Sequence, residues 1–296
     1  MEEFLRQTAR HYYGAGDVEK TCFVFPNRRS LVFFRKYLSE EVKGKPILSP
    51  AMFTMNDFFV ALYGSPVTDR LPLLLELYDI YKGLYRGAEP LDEFIFWGDV
   101  LLGDFDDVDK YMADARGLFQ NIVDLRQLED GCEYLTDRQK AAIRAFLGHF
   151  RDEPAPAADS PSVKARFLRL WNILLPLYRD FRSRLAEKGM AYEGMVYRSI
   201  AERLRDGDSA ADILKEAFPE SGKFVFVGLN ALNECEKTLM AKMRDAGLAE
   251  FVWDFVSPMV RDGANKSSLF MRRNAEEFPQ AFPITAGGAP EVTVIS

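Results

Sequence analysis

The sequence predicts an α/β protein: a doubly wound, parallel sheet interrupted by a large all-helical insertion. Three observations carry this. The segments Thr21–Pro26, Lys223–Gly228 and Glu250–Phe255 are nearly continuous apolar runs rich in β-branched and aromatic residues, the pattern of strands covered on both faces. Two strand-like segments come early and three come late, with about 170 residues between them, which is the layout of a wound sheet carrying an insertion. Across those intervening residues the apolar positions recur at helical spacing.

Each element has its own signal. A helix is predicted over 3–13, then the strand TCFVFP (Thr21–Pro26), a helix over 29–42 and a second strand, PILS (Pro46–Ser49). Helices follow over 55–64, 71–85 and 91–103. Ala115, Leu118, Ile122 and Leu125 form one apolar face, and a further helix covers 136–150. The stretch Asp152–Ser162 (DEPAPAADSPS) reads as a flexible surface loop. Val163, Phe167, Leu170, Leu174, Leu177, Phe181 and Leu185 mark a long helix in which Pro176 predicts a kink. Helices over 190–206 and 231–246 accompany the strands Lys223–Gly228 and Glu250–Phe255, and Glu291–Ser296 (EVTVIS) reads as a last strand. The expected domain layout is a first part of the α/β core over 1–53, a helical insertion over 54–220, and a second part of the core over 221–296. The chain stops within the apparent strand Val292–Ile295, so the natural protein is expected to continue past it.

Bulk properties exclude several classes. A chain of 296 residues, 48% hydrophobic, buries a core without covalent staples. Cys22, Cys132 and Cys235 are scattered without CxxC spacing, so neither a disulfide framework nor a zinc site is indicated, and a reducing cytoplasm fits. The opening Met1–Arg6 is acidic with no apolar stretch after it, and runs such as Ile173–Leu175 are too short to span a bilayer, so no membrane association is expected. The net charge of -7 works against general nucleic-acid binding but leaves room for a local basic groove.

Two strand-to-helix junctions carry most of the functional information. In the first, a buried strand delivers Pro26, Asn27, Arg28, Arg29 and Ser30 into a helix. Backbone N–H groups at a helix start bind anions, and two arginines add charge, so a phosphate contact is reasonable. The plainer alternative is that Asn27 caps the helix and the arginines are merely solvated. The junction is not a P-loop: that motif needs glycines and a Lys-Ser or Lys-Thr, and no glycine lies between Gly16 and Lys43. In the second junction, Gly228, Leu229 and Asn230 stand where an ATPase would carry an acidic pair for Mg²⁺ and the attacking water, and none of them supplies a carboxylate.

Other clusters read as structural. Asp104, Asp106, Asp107 and Asp109 lack the alternation, central glycine and distal glutamate of a calcium loop, and a helix start or turn is expected there. His11 and His149 fall in predicted helices with no nucleophile beside them, and Glu41-Val42-Lys43 looks like a helix end rather than part of a nuclease site. Arg28, Arg29, Arg35 and Lys36 cluster on one helix, and Lys164, Arg166, Arg169, Arg179, Arg182 and Arg184 flank the long one. Either set could line a DNA groove or be a solvated face.

Taken together, FVFPNRRSLVFFRKYL, WGDVLLGDFDDVDKYMADARGLFQNIVDL, GMAYEGMVYR and KFVFVGLNALNECEKTLMAKM, in that order, resemble the amino-terminal region of the AddB-type subunit of bacterial AddAB helicase-nucleases, in the branch with a degenerate helicase domain. The resemblance implies a P-loop-like, helicase 1A-like parallel sheet with a 1B-like helical insertion. It places Pro26 to Ser30 on motif Ia, which touches single-stranded DNA in active helicases, and Gly228 to Asn230 on the metal-binding motif without its acids. It implies an AddA-type helicase subunit and single-stranded or duplex-end DNA as partners in double-strand-break repair and recombination. The family's carboxy-terminal nuclease, with an iron–sulfur cluster in some members, would lie outside this chain. The implied module therefore holds no cofactor, metal or catalytic residue, whereas the full-length protein would be an ATP-dependent exonuclease subunit. A purely structural scaffold without DNA binding is the alternative, and an active nucleotide-dependent enzyme with an unusual phosphate site at Arg28 and Arg29 is disfavoured by the missing motifs.

Overall fold

A computed structural model describes residues 2–44, 46–119, 161–254 and 269–285, with side chains from residue 4 in the first stretch and from residue 173 in the third. The chain forms two compact units, one of Met1–Val67 with Glu193–Ser296 and the other of Thr68–Tyr192. The first contains a four-stranded, all-parallel sheet, so the fold is α/β as predicted, with a helical unit inserted into it.

The strands are β1 (Thr21–Phe25), β2 (Ala51–Thr54), β3 (Lys223–Val227) and β4 (Ala249–Val252), in the spatial order β2-β1-β3-β4. All five residues of β1 are buried, as are the last four of β3, which is what an apolar run must achieve when both sheet faces are covered. One face carries α1 (Glu2–Ala15) and α2 (Arg28–Val42), where Phe34 packs 4.7 Å from the Phe23 ring and 5.1 Å from that of Phe25. The opposite face is dominated by aromatics: Phe58 of α3 (Met55–Tyr63) lies 5.8 Å from the Phe224 ring and stacks on Phe218 at 5.0 Å. Each fully buried phenylalanine contributes about 1.5–3 kcal/mol.

The second unit holds α4 (Arg70–Leu84), α5 (Leu91–Lys110) and α6 (Pro161–Glu187). Its core includes the buried Leu77 and joins Tyr81 to Phe94, and Phe105 to Tyr178 and Phe181. In the first unit follow α7 (Glu193–Asp206), α8 (Ala210–Ala217), α9 (Glu234–Asp245) and α10 (Leu269–Glu277). Local chemistry sets several helix starts. Asn27, Thr54 and Ser209 each accept a backbone N–H through their side chains, and Asn233 forms a reciprocal capping box with Glu236.

The structure departs from expectation in four places. The second strand is not Pro46–Ser49 but Ala51–Thr54, paired from Cys22↔Ala51 to Phe25↔Thr54. Pro46 removes a ladder donor from the earlier stretch, Pro50 follows directly after it, and Leu48 is left 79% exposed. The Asp104–Asp109 cluster is not a helix start, because α5 runs through it to Lys110. The units divide at 67/68 and 192/193 rather than 53/54 and 220/221, because α3, α7 and α8 belong with the sheet: Phe58 and Phe218 pack on β3, and Phe59 stacks on Tyr197 at 3.9 Å. Pro161 and Ser162, expected in a loop, open α6, whose span includes Pro176. The helix predicted over 136–150, the positions Ile122 and Leu125, His149 and the strand Glu291–Ser296 lie outside the described residues. Among the described residues no helix is long and apolar enough to cross a membrane.

Candidate functional site

The topology creates a crevice. From β1 the chain crosses through α2 to β2 on one side. From β3 it crosses through α9 to β4 on the other, with α2 and α9 on opposite sheet faces. β1 and β3 are neighbours, so the loops leaving their carboxyl ends diverge and leave a gap, the place where open α/β sheets bind ligands. A cavity of about 250 Å³ sits there.

Its floor is apolar: Phe4 and Leu5 from the first turn of α1, and Val227 at the end of β3, all buried. Its polar wall comes from two junctions. Pro26, Asn27 and Ser30 arrive from β1 and α2, and Gly228 and Asn230 follow β3. Residues that the sequence marked in two separate segments therefore line one crevice. Leu229, grouped with Gly228 and Asn230 by sequence, is buried at 4% exposure and does not line it.

Asn27 settles one alternative at the atomic level. Its side-chain oxygen accepts the Ser30 N–H at 3.0 Å and the Ser30 hydroxyl at 3.2 Å, so Asn27 is the cap of α2. Capping uses the N–H of Ser30, and among the described residues no hydrogen bond takes the N–H of Arg28 or Arg29. Arg28 and Arg29 do not line the crevice, and both side chains are solvent-exposed. Arg28 is 85% exposed and stands 3.9 Å from Asp57, a distance at which a surface pair contributes little. The first turn of α2 contains no acidic residue. Two cations at the positive end of a helix dipole are a local cost of a few tenths of a kcal/mol each, which a bound anion would relieve.

The loop after β3 is held firmly. Gly228 adopts φ +67°, donates its N–H to the Val252 carbonyl at 2.8 Å, and passes so close to α1 that an added Cβ would meet Phe4 at 3.2 Å. Asn274 of α10, 4% exposed, donates to the Asn230 carbonyl.

One lining residue escaped the sequence reading. Asp254 follows β4 and brings a carboxylate into the crevice, where burial raises its pKa above the ordinary aspartate range. The signal was present as an acid closing the apolar run Phe251–Trp253. Only the β3–β4 pairing places that strand end beside the β1–α2 junction. A single carboxylate among amides suits a hydrogen-bonding or charge-selecting role, and when ionised it opposes an anion at α2.

The remaining sequence candidates lie elsewhere. His11 stacks on Phe282 at 3.8 Å on the outside of α1. Glu41 and Val42 end α2, and Lys43 takes a left-handed conformation as its C-cap. Burial pushes the Cys22 thiol up to about 12, which makes it inert at neutral pH. Among the described residues no group of three or more His, Cys, Asp and Glu is arranged to hold a metal ion. Comparison with known proteins gives no matching family model and no matching curated protein.

Proposed function

We propose that the chain is the ATPase-inactive, helicase-like amino-terminal module of a helicase-nuclease subunit that processes DNA double-strand breaks. It contributes single-stranded DNA contacts through Pro26–Ser30 and docks to an AddA-type motor subunit. The observation that carries this reading is the convergence of the two sequence-marked junctions on one crevice at the carboxyl edge of a parallel sheet. One junction offers free helix N–H groups and two exposed arginines. The other has Gly228, Leu229 and Asn230 in the place of an acidic pair. That combination suits holding a phosphate backbone and does not suit splitting a nucleotide.

Fluorescence anisotropy of labelled single-stranded DNA at low salt, on wild type and on an Arg28→Ala, Arg29→Ala variant, tests the DNA contact. The double variant is expected to bind about ten-fold more weakly, and equal binding by both proteins removes the Pro26–Ser30 assignment. No binding by wild type favours the scaffold reading, with which the net charge of -7 agrees. Calorimetric titration with Mg-ATP should be flat, and micromolar affinity would sink the ATPase-inactive assignment.

A further inference from the structure

The exposed face of α2 has a composition that capping and packing do not explain. Arg28, Val32 and Arg35 are spaced i, i+4, i+7, and so are Arg29, Phe33 and Lys36, giving two adjacent stripes that each read cation, apolar, cation. All six side chains are exposed, Val32 by 59% and Phe33 by 40%. The buried side of the helix is carried by Ser30, Phe34, Tyr37, Leu38 and Val42. The acids of α2, Glu40 and Glu41, come only in its last turn, where Arg6 and Arg10 of α1 engage them at 2.7 and 3.0 Å and Lys36 stands 4.0 Å from Glu40. Four cations and two apolar side chains thus share one exposed face on a chain of net charge -7, with Asp57 near Arg28 and Glu40 near Lys36 as exposed partners at 3.9 and 4.0 Å.

Charge complementarity selects an anionic occupant, and the apolar residue within each stripe selects one that also has flat apolar surface. A nucleic-acid strand has both, with phosphates for the cations and bases for the ring. Arg29 and Lys36 are seven residues apart, about 10 Å along the axis, which spans about three stacked nucleotide steps of 3.4 Å. Phe33 lies between them, with its ring 6.3 Å from that of the buried Tyr37 at 29°.

We infer that Phe33 is a base-stacking platform and that a single strand leaving the amino end of α2 runs along this face, with its phosphates on Arg29 and Lys36. The inference rests on the proposed DNA contact and extends it from the helix start to a surface and a residue that the motif assignment does not include.

The test measures binding of the full chain to a thymidine homopolymer and to an abasic strand of equal length, for wild type, Phe33→Ala, Phe33→Trp and the Arg28→Ala, Arg29→Ala variant. Phe33→Ala should weaken binding of the homopolymer about ten-fold and leave the abasic strand unchanged, while Phe33→Trp should bind at least as well as wild type. A 2-aminopurine placed in the strand should lose fluorescence on wild type and not on Phe33→Ala. If Phe33→Ala binds the homopolymer as wild type does while the arginine variant is weakened, the stacking inference falls and the phosphate contact stands. If Phe33→Ala weakens both strands equally, the ring acts through the fold and the inference falls. If the wild type binds neither strand, both readings fall, and the face is left for a protein partner.

Discussion

Asp109 has no exposed side-chain surface, and the groups converging on it include the hydroxyls of Tyr178 and Tyr192, which donate to its carboxylate, and the Arg182 guanidinium at 3.5 Å. A carboxylate taken out of water costs several kcal/mol unless such partners offset it. Burial, reinforced by the Asp109 charge, raises the Tyr192 pKa well above that of an ordinary tyrosine, so its hydroxyl keeps its proton and goes on donating. Asp109→Ala would remove the carboxylate to which both hydroxyls donate and the counter-charge of the Arg182 guanidinium. The expected loss, read by urea denaturation, is about 3–5 kcal/mol, with a smaller loss for Asp109→Asn, which keeps one acceptor. A loss below about 1 kcal/mol for the alanine variant would mean that the cluster does not hold this unit together.

At the scale of elements, the two strand-to-helix junctions are built differently. The β1–α2 junction is fixed by a side chain, the Asn27 cap, and this leaves backbone donors available. The β3–α9 junction is fixed by backbone conformation at Gly228 and by the buried Asn274. Gly228→Ala places a Cβ in a left-handed conformation, 3.2 Å from Phe4. That should cost about 1–2 kcal/mol in chemical denaturation, and an unchanged midpoint would show that the loop is free to relax. The displaced β2 belongs to this scale too. Pro46–Ser49 reads as a strand by composition, but it lies between two prolines and the residues paired to Cys22–Phe25 are Ala51–Thr54, with Thr54 serving both as strand end and as cap of α3.

For the whole molecule, an overall charge of -7 and a cationic face on α2 make opposite contributions to DNA binding, and ionic strength separates them. For single strands log K falls against log salt with a slope of about -0.7 per phosphate contact. Removing Arg28 and Arg29 should therefore flatten the slope by about 1.4, measured by anisotropy across a salt series. An unchanged slope with reduced affinity would place the loss in the fold rather than in phosphate contacts.

The α/β class, the identity of β1, β3 and β4, and most helix spans in the described residues were legible because apolar runs and helical periodicity are local signals of burial. The sequence by itself also determined that the β3 junction carries no acidic pair and that Asn27 and two arginines open α2. Tertiary structure decided the rest. Unit boundaries depend on which helices group with the sheet, and three helices expected in the insertion do so because Phe58 and Phe218 pack on Phe224 of β3 and Phe59 stacks on Tyr197. The burial of Asp109 depends on residues 69 and 83 positions away along the chain. Asp254 joins Asn27 and Gly228 in one crevice because strands distant in sequence are neighbours in the sheet, and spatial neighbours of that kind leave no periodic trace in the sequence.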